Sequence, residues 1–228
     1  MFISPKVVLQ DFLRNNLTDP QSRAEETKTE TFDGDATEYT LNPDSGKKFY
    51  AIKSVKVEGT TKSKWKDYYI DMQNSKVIFF STTPSGTGNV EIEYKQGQTN
   101  WIYTDKPRQD LSSDSFPRVS ITSLGGQGER VGQYNSNIQT AIPFQIDIWT
   151  KENQVFEIEN HKYEGDKLGE YLAYKITKAF EDNENEIHPQ LYNYTLLQSP
   201  RDLEFDKEIE CFHTIVEIEL NSLDAGEQ

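Results

Sequence analysis

The sequence is poor in the residues that staple, ligate or span. Cys211 is the one cysteine among 228 residues. No intrachain disulfide can form, and such usage points to a reducing site of synthesis. The three histidines, His161, His188 and His213, lie far apart, none at metal-type spacing from another ligand, so no metal site is expected. Long apolar runs are missing too: nothing approaches the length of a membrane span, and residues 1–20 lack the apolar core of a secretion signal. The expected chain is soluble, makes no membrane contact and is synthesised in the cytoplasm. Basic charge is scarce, with 24 Lys and Arg against 38 Asp and Glu and a formal net charge of -14. Sequence-independent attraction to phosphate backbones therefore does not drive its binding. An acidic surface suits a passage through which DNA slides without sticking; it is equally the ordinary dress of a soluble protein.

The hydrophobic share, 34%, and the mean hydropathy, -0.78, are low for a self-sufficient globule. The aromatic share, 12% with 12 Tyr and 12 Phe, is too high for a disordered chain. A folded protein with extended hydrophilic loops fits both, and the length allows one large domain or two small ones.

Residues 117–149 are the most informative stretch. Val119 and Ile121 alternate with Ser120 and Thr122 in a short strand over 118–123. A loop with Gly125, Gly126, Gly128, Glu129, Arg130 and Gly132 follows, then a long strand in which Ile138, Ile142, Phe144, Ile146 and Ile148 share parity. Gln139, Gln145 and Asp147 take the other side, so one face is expected buried and the other wet. From 138 to 149 the strand spans roughly 36 Å at about 3.3 Å per residue. Pro143 lies inside it and cannot donate to a ladder, which demands an edge position or a bulge. The whole reads as a projecting hairpin with a glycine-rich tip.

Around it, Ser4 and Pro5 open a helix with Val8, Leu9, Phe12 and Leu13 as its apolar stripe, ending near Leu17 before Thr18, Asp19 and Pro20. Residues 21–31 are polar and read as linker. Short strands then follow at hairpin spacing, over 38–41, 49–57, 68–72, 76–81 and 89–95. Their expected core is Phe32, Tyr39, Leu41, Ile52, Val55, Val57, Tyr69, Val77, Phe79, Val90, Ile92 and Tyr94. Residues 96–115 read mostly as linker, with Trp101, Ile102 and Tyr103 packing on something. After the hairpin come a strand at 154–158, a helix at 166–182 with Leu168, Leu172, Ile176 and Phe180 on one stripe, and strands at 191–198 and 209–220. In the last, Cys211, His213, Glu217 and Glu219 fall on the polar face. The order gives an α+β fold, an antiparallel sheet covered by helices on one face, with an inserted small all-β domain. The expected division is residues 1–29 with 96–228 as one discontinuous domain, and 30–95 as the insert.

No catalytic frame emerges. A P-loop ends in Gly-Lys-Ser/Thr and opens a helix, whereas Gly132 is followed by Gln133, Tyr134 and a strand. Carboxylates are too abundant for any pair to be informative, and no Ser, Cys or Thr nucleophile stands in a recognisable frame. The chain reads as non-enzymatic, without cofactor or metal. Trp65, Tyr68 and Tyr69 are candidates for an aromatic platform for a sugar or a base, although strand alternation also places them as core.

One resemblance organises these features. The helical start over 5–17 with Thr18, Asp19 and Pro20, then Phe116, Pro117, Arg118 and Val119, the Gly-Gln-Gly-Glu-Arg-Val-Gly-Gln-Tyr loop at 126–134, and Pro143, Phe144, Gln145, Ile146, Asp147, Ile148 and Trp149 together resemble the tail terminator, or tail completion, proteins of long-tailed bacterial and archaeal viruses. The following helix and closing strands match the same plan, which covers most of 1–26 and 98–228. The resemblance implies a homo-hexameric ring in the virion that caps the tail tube protein, meets a neck or head-completion protein below the portal, and lets DNA transit its channel without specific binding. It places Glu129, Arg130, Gln133 and Tyr134 at a subunit or tube interface. The stretch beginning Phe32, Asp33, Gly34, Asp35 and continuing to Val55, Lys56 and Val57 is similar to a small β module recurrent in tailed-virus structural proteins; it is read as an insertion projecting outward from the ring. Two alternatives stand beside this reading: a head–tail adaptor of the neck, whose partner is the portal, and a virion or host adhesion protein whose β module recognises a glycan.

Overall fold

The structure, a computed structural model, describes residues 4–104, 115–125, 127–131, 137–183, 187, 191–202, 205–207 and 210–225. The chain divides into two compact units, residues 22–100 and residues 1–21 with 101–228. The cut falls eight residues before and five after the expected 30–95.

In the first unit, β1 (Glu26–Phe32), β3 (Lys48–Val57), β4 (Thr60–Thr61) and β7 (Val90–Gly97) form one sheet in the order β1-β7-β3-β4. A second sheet is made of β2 (Glu38–Thr40), β5 (Tyr68–Asp71) and β6 (Lys76–Phe79) in the order β2-β6-β5. A shared core of Tyr39, Leu41, Phe49, Ile52, Val55, Val57, Tyr68, Ile70, Val77, Phe79, Val90, Ile92 and Tyr94 joins them. Two expectations need correction. Residues 26–31, expected as linker, are strand: with Phe32 they pair antiparallel with β7, from Glu26↔Gln96 to Phe32↔Val90. In β5 the inward parity is Tyr68 and Ile70, so Tyr69 is half-buried on the outer face.

In the second unit, α1 (Pro5–Asn16) is buried from Val8 through Arg14. Gln10 Nε2 at 3.1 Å and Arg14 Nε and Nη2 at 3.3 and 2.9 Å all donate to Ile102 O. That carbonyl belongs to β8 (Ile102–Tyr103), a two-residue strand that pairs parallel with β9 (Arg118–Ser123), so the expected all-antiparallel sheet has one parallel edge. The other strands are β10 (Gln127–Val131), β11 (Asn137–Lys151), β14 (Leu191–Asp202) and β15 (Cys211–Ala225); β12 (Val155–Ile158) and β13 (His161–Glu164) pair with each other. The main order is β14-β15-β11-β9-β8, with β10 on β11. Mixed α and β structure dominated by strands is thus the observed class.

The helix α2 (Gly165–Asp182) buries Leu168, Leu172, Ile176 and Phe180 as its spacing predicts. Two glycines allow a close approach to the sheet. A Cβ on Gly169 would lie 2.4 Å from Thr214 Oγ1, and Gly165, at φ +51, would meet the Phe212 ring at 2.9 Å. Thr150 Oγ1 donates to Gly165 O at 2.7 Å, tying β11 to the first turn of the helix.

Candidate functional site

The hairpin of residues 117–149 is built differently from a loop on two strands. The pairing passes from Ser123↔Phe144 to Gln127↔Ala141, so four steps along β9 and β10 answer three along β11. This is a one-residue bulge opposite Pro143. Leu124 N donates to Pro143 O at 2.9 Å, so the proline's missing N–H faces the bulged side, where the ladder is already interrupted, and not β15. Gly125 takes φ +94 there, a conformation open to glycine. Of the two options that Pro143 posed, the bulge is the one used.

Past the bulge the strand resumes, and Glu129 and Arg130 lie in β10 opposite Gln139 and Ile138. They are not at a loop tip, which corrects the expectation of a loop from 124 to 136. Gln133 and Tyr134 lie outside the described residues, as does His188. At the level of Thr140 and Ala141 the sheet consists of β10, β11, β15 and the start of β14: Thr140 pairs with Gly128 and Ser222, and Ser222 with Leu191, while at 137–139 β15 has no strand beyond it among the described residues. This arm is edged by β10 on one side and β14 on the other, with no strand beyond either among the described residues.

Towards the other end of β11 the supposedly wet face is buried. Asp147 and Ser120, direct cross-strand partners, are both 0% exposed, and Trp149 and Arg118 are nearly so. Asp147 Oδ1 accepts from His213 Nε2 at 2.7 Å and from Gln145 Nε2 at 2.6 Å. His213 in turn stacks on Trp149, with ring centroids 3.7 Å apart. Asp147 Oδ2 and Ser120 Oγ are buried without a hydrogen-bond partner among the described residues. Serine, aspartate and histidine meet here with Asp147 between the other two, and among the described residues no hydrogen bond joins Ser120 to either. Nearby, the Arg118 guanidinium lies 3.6 Å over the Tyr103 ring. Burial pushes the Cys211 thiol up to about 11, holding it protonated at neutral pH.

Other expected sites resolve simply. His161 is exposed and its Nδ1 lies 2.9 Å from Glu159 O. Among the described residues no cluster of three His, Cys, Asp or Glu is placed to hold a metal. Trp65 and Tyr68 are 7% and 2% exposed, so they are core and not the face of a platform; among the three candidate aromatics only Tyr69 reaches the surface. No helix of the described residues is long and apolar enough to cross a membrane. No family model matches the chain, and no curated protein matches it.

Proposed function

We propose that this chain is a ring-forming structural subunit of the tail-terminator type, capping the tail tube of a long-tailed virus and joining it to the neck. The observation that carries the reading is the arm around residues 140–141, where four strands are bounded by two different edge strands, β10 and β14. An unprotected edge is a template for pairing with another chain. Because β10 and β14 differ, pairing the β14 edge of one copy with the β10 edge of the next is head-to-tail, and head-to-tail contacts that rotate close into rings. The second half of β14 is unsuited to this, with Pro200 and register shifts at Leu196/Gln198 and Gln198/Arg201; the half beside the arm has one shift, at Leu191/Asn193.

In this reading α1 and α2 cover one face of the sheet, an arrangement supported by the stacking of Phe12 on Phe180 at 5.0 Å and by Gly169 against Thr214. The homo-hexamer contacts the tube protein on one side and a neck or head-completion protein on the other. Glu129, Arg130, Gln133 and Tyr134 belong to a subunit or tube interface. The net charge of -14 suits a channel that DNA transits without adhering. The subunit has no catalytic or cofactor role and resides in the virion after synthesis in the host cytoplasm.

Mass photometry and negative-stain microscopy of the purified chain, alone and with the tube protein of the same virus, test this. The expected species is a ring of six times the 26.3 kDa chain mass, formed alone or on the tube. A chain that stays monomeric in the presence of the tube protein overturns the reading. Capture of the portal in place of the tube converts it to a neck adaptor.

A further inference from the structure

The unit of residues 22–100 carries an open niche of about 140 Å³, lined by residues of 62–67 and 79–84 together with Val57. Both walls are fixed by backbone bonds: Lys62 N donates to Val55 O at 2.8 Å, and Phe80 N to Asp67 O at 3.1 Å. The turn between Lys62 and Asp67 holds Trp65 at φ +65, a conformation that bulky side chains rarely adopt, with its N–H donating to Tyr68 O at 2.6 Å.

Charge sets this niche apart. Lys28, Lys47, Lys53, Lys56, Lys76 and Lys95 of the same unit each meet a carboxylate. Lys62 and Lys66, like Lys48, meet none among the described residues, and these two line the niche. Two lysines that meet no carboxylate among the described residues thus share one lining, beside Asp67, in a chain that is otherwise strongly acidic. Phe80, beside them, is 50% exposed, its ring 5.6 Å from that of Tyr69, so an apolar shelf adjoins the positive charge. Ser81 and Thr82 add exposed hydroxyls, whereas Thr83 is committed to Ala36 O and the Tyr39 hydroxyl.

We propose that this niche binds an acidic saccharide. Its carboxylate sits between Lys62 and Lys66, the C–H face of its ring lies on Phe80 and Tyr69, and its hydroxyls bond to Ser81 and Thr82. Asp67, on the same lining, repels a phosphate dianion more strongly than a singly charged carboxylate, and it can accept hydrogen bonds from a sugar. The volume admits one sugar unit, so affinity per site is on the order of 1–10 mM and rises with repeated units. The niche is independent of ring assembly.

The full-length chain, labelled with ¹⁵N and titrated with methyl glucuronide and with a methyl sialoside, provides the test. At least one of the two is expected to shift the amides of Lys66 and of Phe80 through Thr83, in a manner weakened by salt. Methyl glucoside, which keeps the ring and lacks the carboxylate, binds at least roughly tenfold more weakly, the loss of one charge-assisted contact. Lys62→Gln and Lys66→Gln lower affinity by a similar factor, and Phe80→Ser removes it while the remaining spectrum stays folded. Absence of shifts with both acidic sugars overturns the proposal. So does equal saturation by acetate or inorganic phosphate, which marks a plain anion site.

Discussion

Gly97 marks a point where two stretches of backbone nearly touch. A Cβ there would lie 1.8 Å from Arg23 O, and backbone, unlike a side chain, has no rotamer to yield. Gly97→Ala is expected to destabilise residues 22–100 by about 1–3 kcal/mol, the usual penalty of overpacking, as a lowered urea midpoint. An unchanged midpoint refutes the close approach. His213 is the second residue whose loss matters beyond its own contacts, because the Asp147 carboxylate it holds is fully buried. His213→Ala removes one hydrogen-bond donor from a buried carboxylate, which costs on the order of 1–3 kcal/mol, while His213→Gln keeps a donor and loses less. Equal stability of the two variants in equilibrium unfolding contradicts the pairing. Strand parity assigned Asp147 and His213 correctly to one face but could not tell that the face is covered. Alternation reports sides, and burial on both sides depends on segments distant in sequence. Tyr68 and Tyr69 show a similar limit: adjacent tyrosines carry no parity of their own, and it is Ile70 that sets which one points inward.

Elements with an apolar stripe were legible, and those without one were not. The stripe of Leu168, Leu172, Ile176 and Phe180 marks α2 to within one residue of its observed start, and α1 lies where Ser4, Pro5 and its leucines put it. The strand β1 escaped because its inward positions are filled by Lys28 and Glu30 with a single apolar residue, Phe32. Its period of two is there, written in charge. β10 escaped because glycines that signal a turn also serve a bulge. The charged strand has a consequence in acid. Glu26 accepts from Lys47, and Asp44 from Lys28 and Gln96, which hold both carboxyls below their ordinary values of 4.5 and 3.8. A carboxyl lowered in the folded state contributes stability above its unfolded value and loses it as pH falls through the folded one. The tie between β1 and the turn around Asp44 is therefore intact at neutral pH and weakens progressively as pH falls below the ordinary values of the two carboxyls. Amide exchange of residues 26–30 and 42–47 is expected to accelerate relative to β11 as pH is lowered below 4.5, after correction for intrinsic rates. A Lys28→Met/Lys47→Met double variant, already lacking both cations, shows a smaller change. Identical pH responses in the two proteins exclude the ion pairs as the cause.

At the scale of the whole molecule, the ring reading and the two-unit division make separate demands. If Glu129 and Arg130 pair across copies, Glu129→Arg is expected to block ring formation on the tube protein and the additional change Arg130→Glu to restore it. Rings unaffected by the single reversal remove that contact from the interface. The division itself rests on how the chain enters and leaves residues 22–100. Arg23 O accepts from Gln98 N at 3.1 Å, and three residues on, Glu26 pairs with Gln96. Entry and exit therefore lie side by side, the geometry in which a domain can be inserted or removed with little strain on its host. The excised piece has its own core, with Val55, Val77, Val90, Ile92 and Tyr94 fully buried, so each part should fold alone. Joining residue 21 to residue 101 through a short Gly-Ser bridge is expected to leave a folded chain that retains any ring assembly. The isolated segment 22–100 is expected to unfold in one cooperative transition. Each outcome is read by circular dichroism and denaturant titration. Aggregation or broad, non-cooperative unfolding of both pieces means that the two units depend on each other and that the sequence order, a host interrupted by a guest, does not describe how the protein folds.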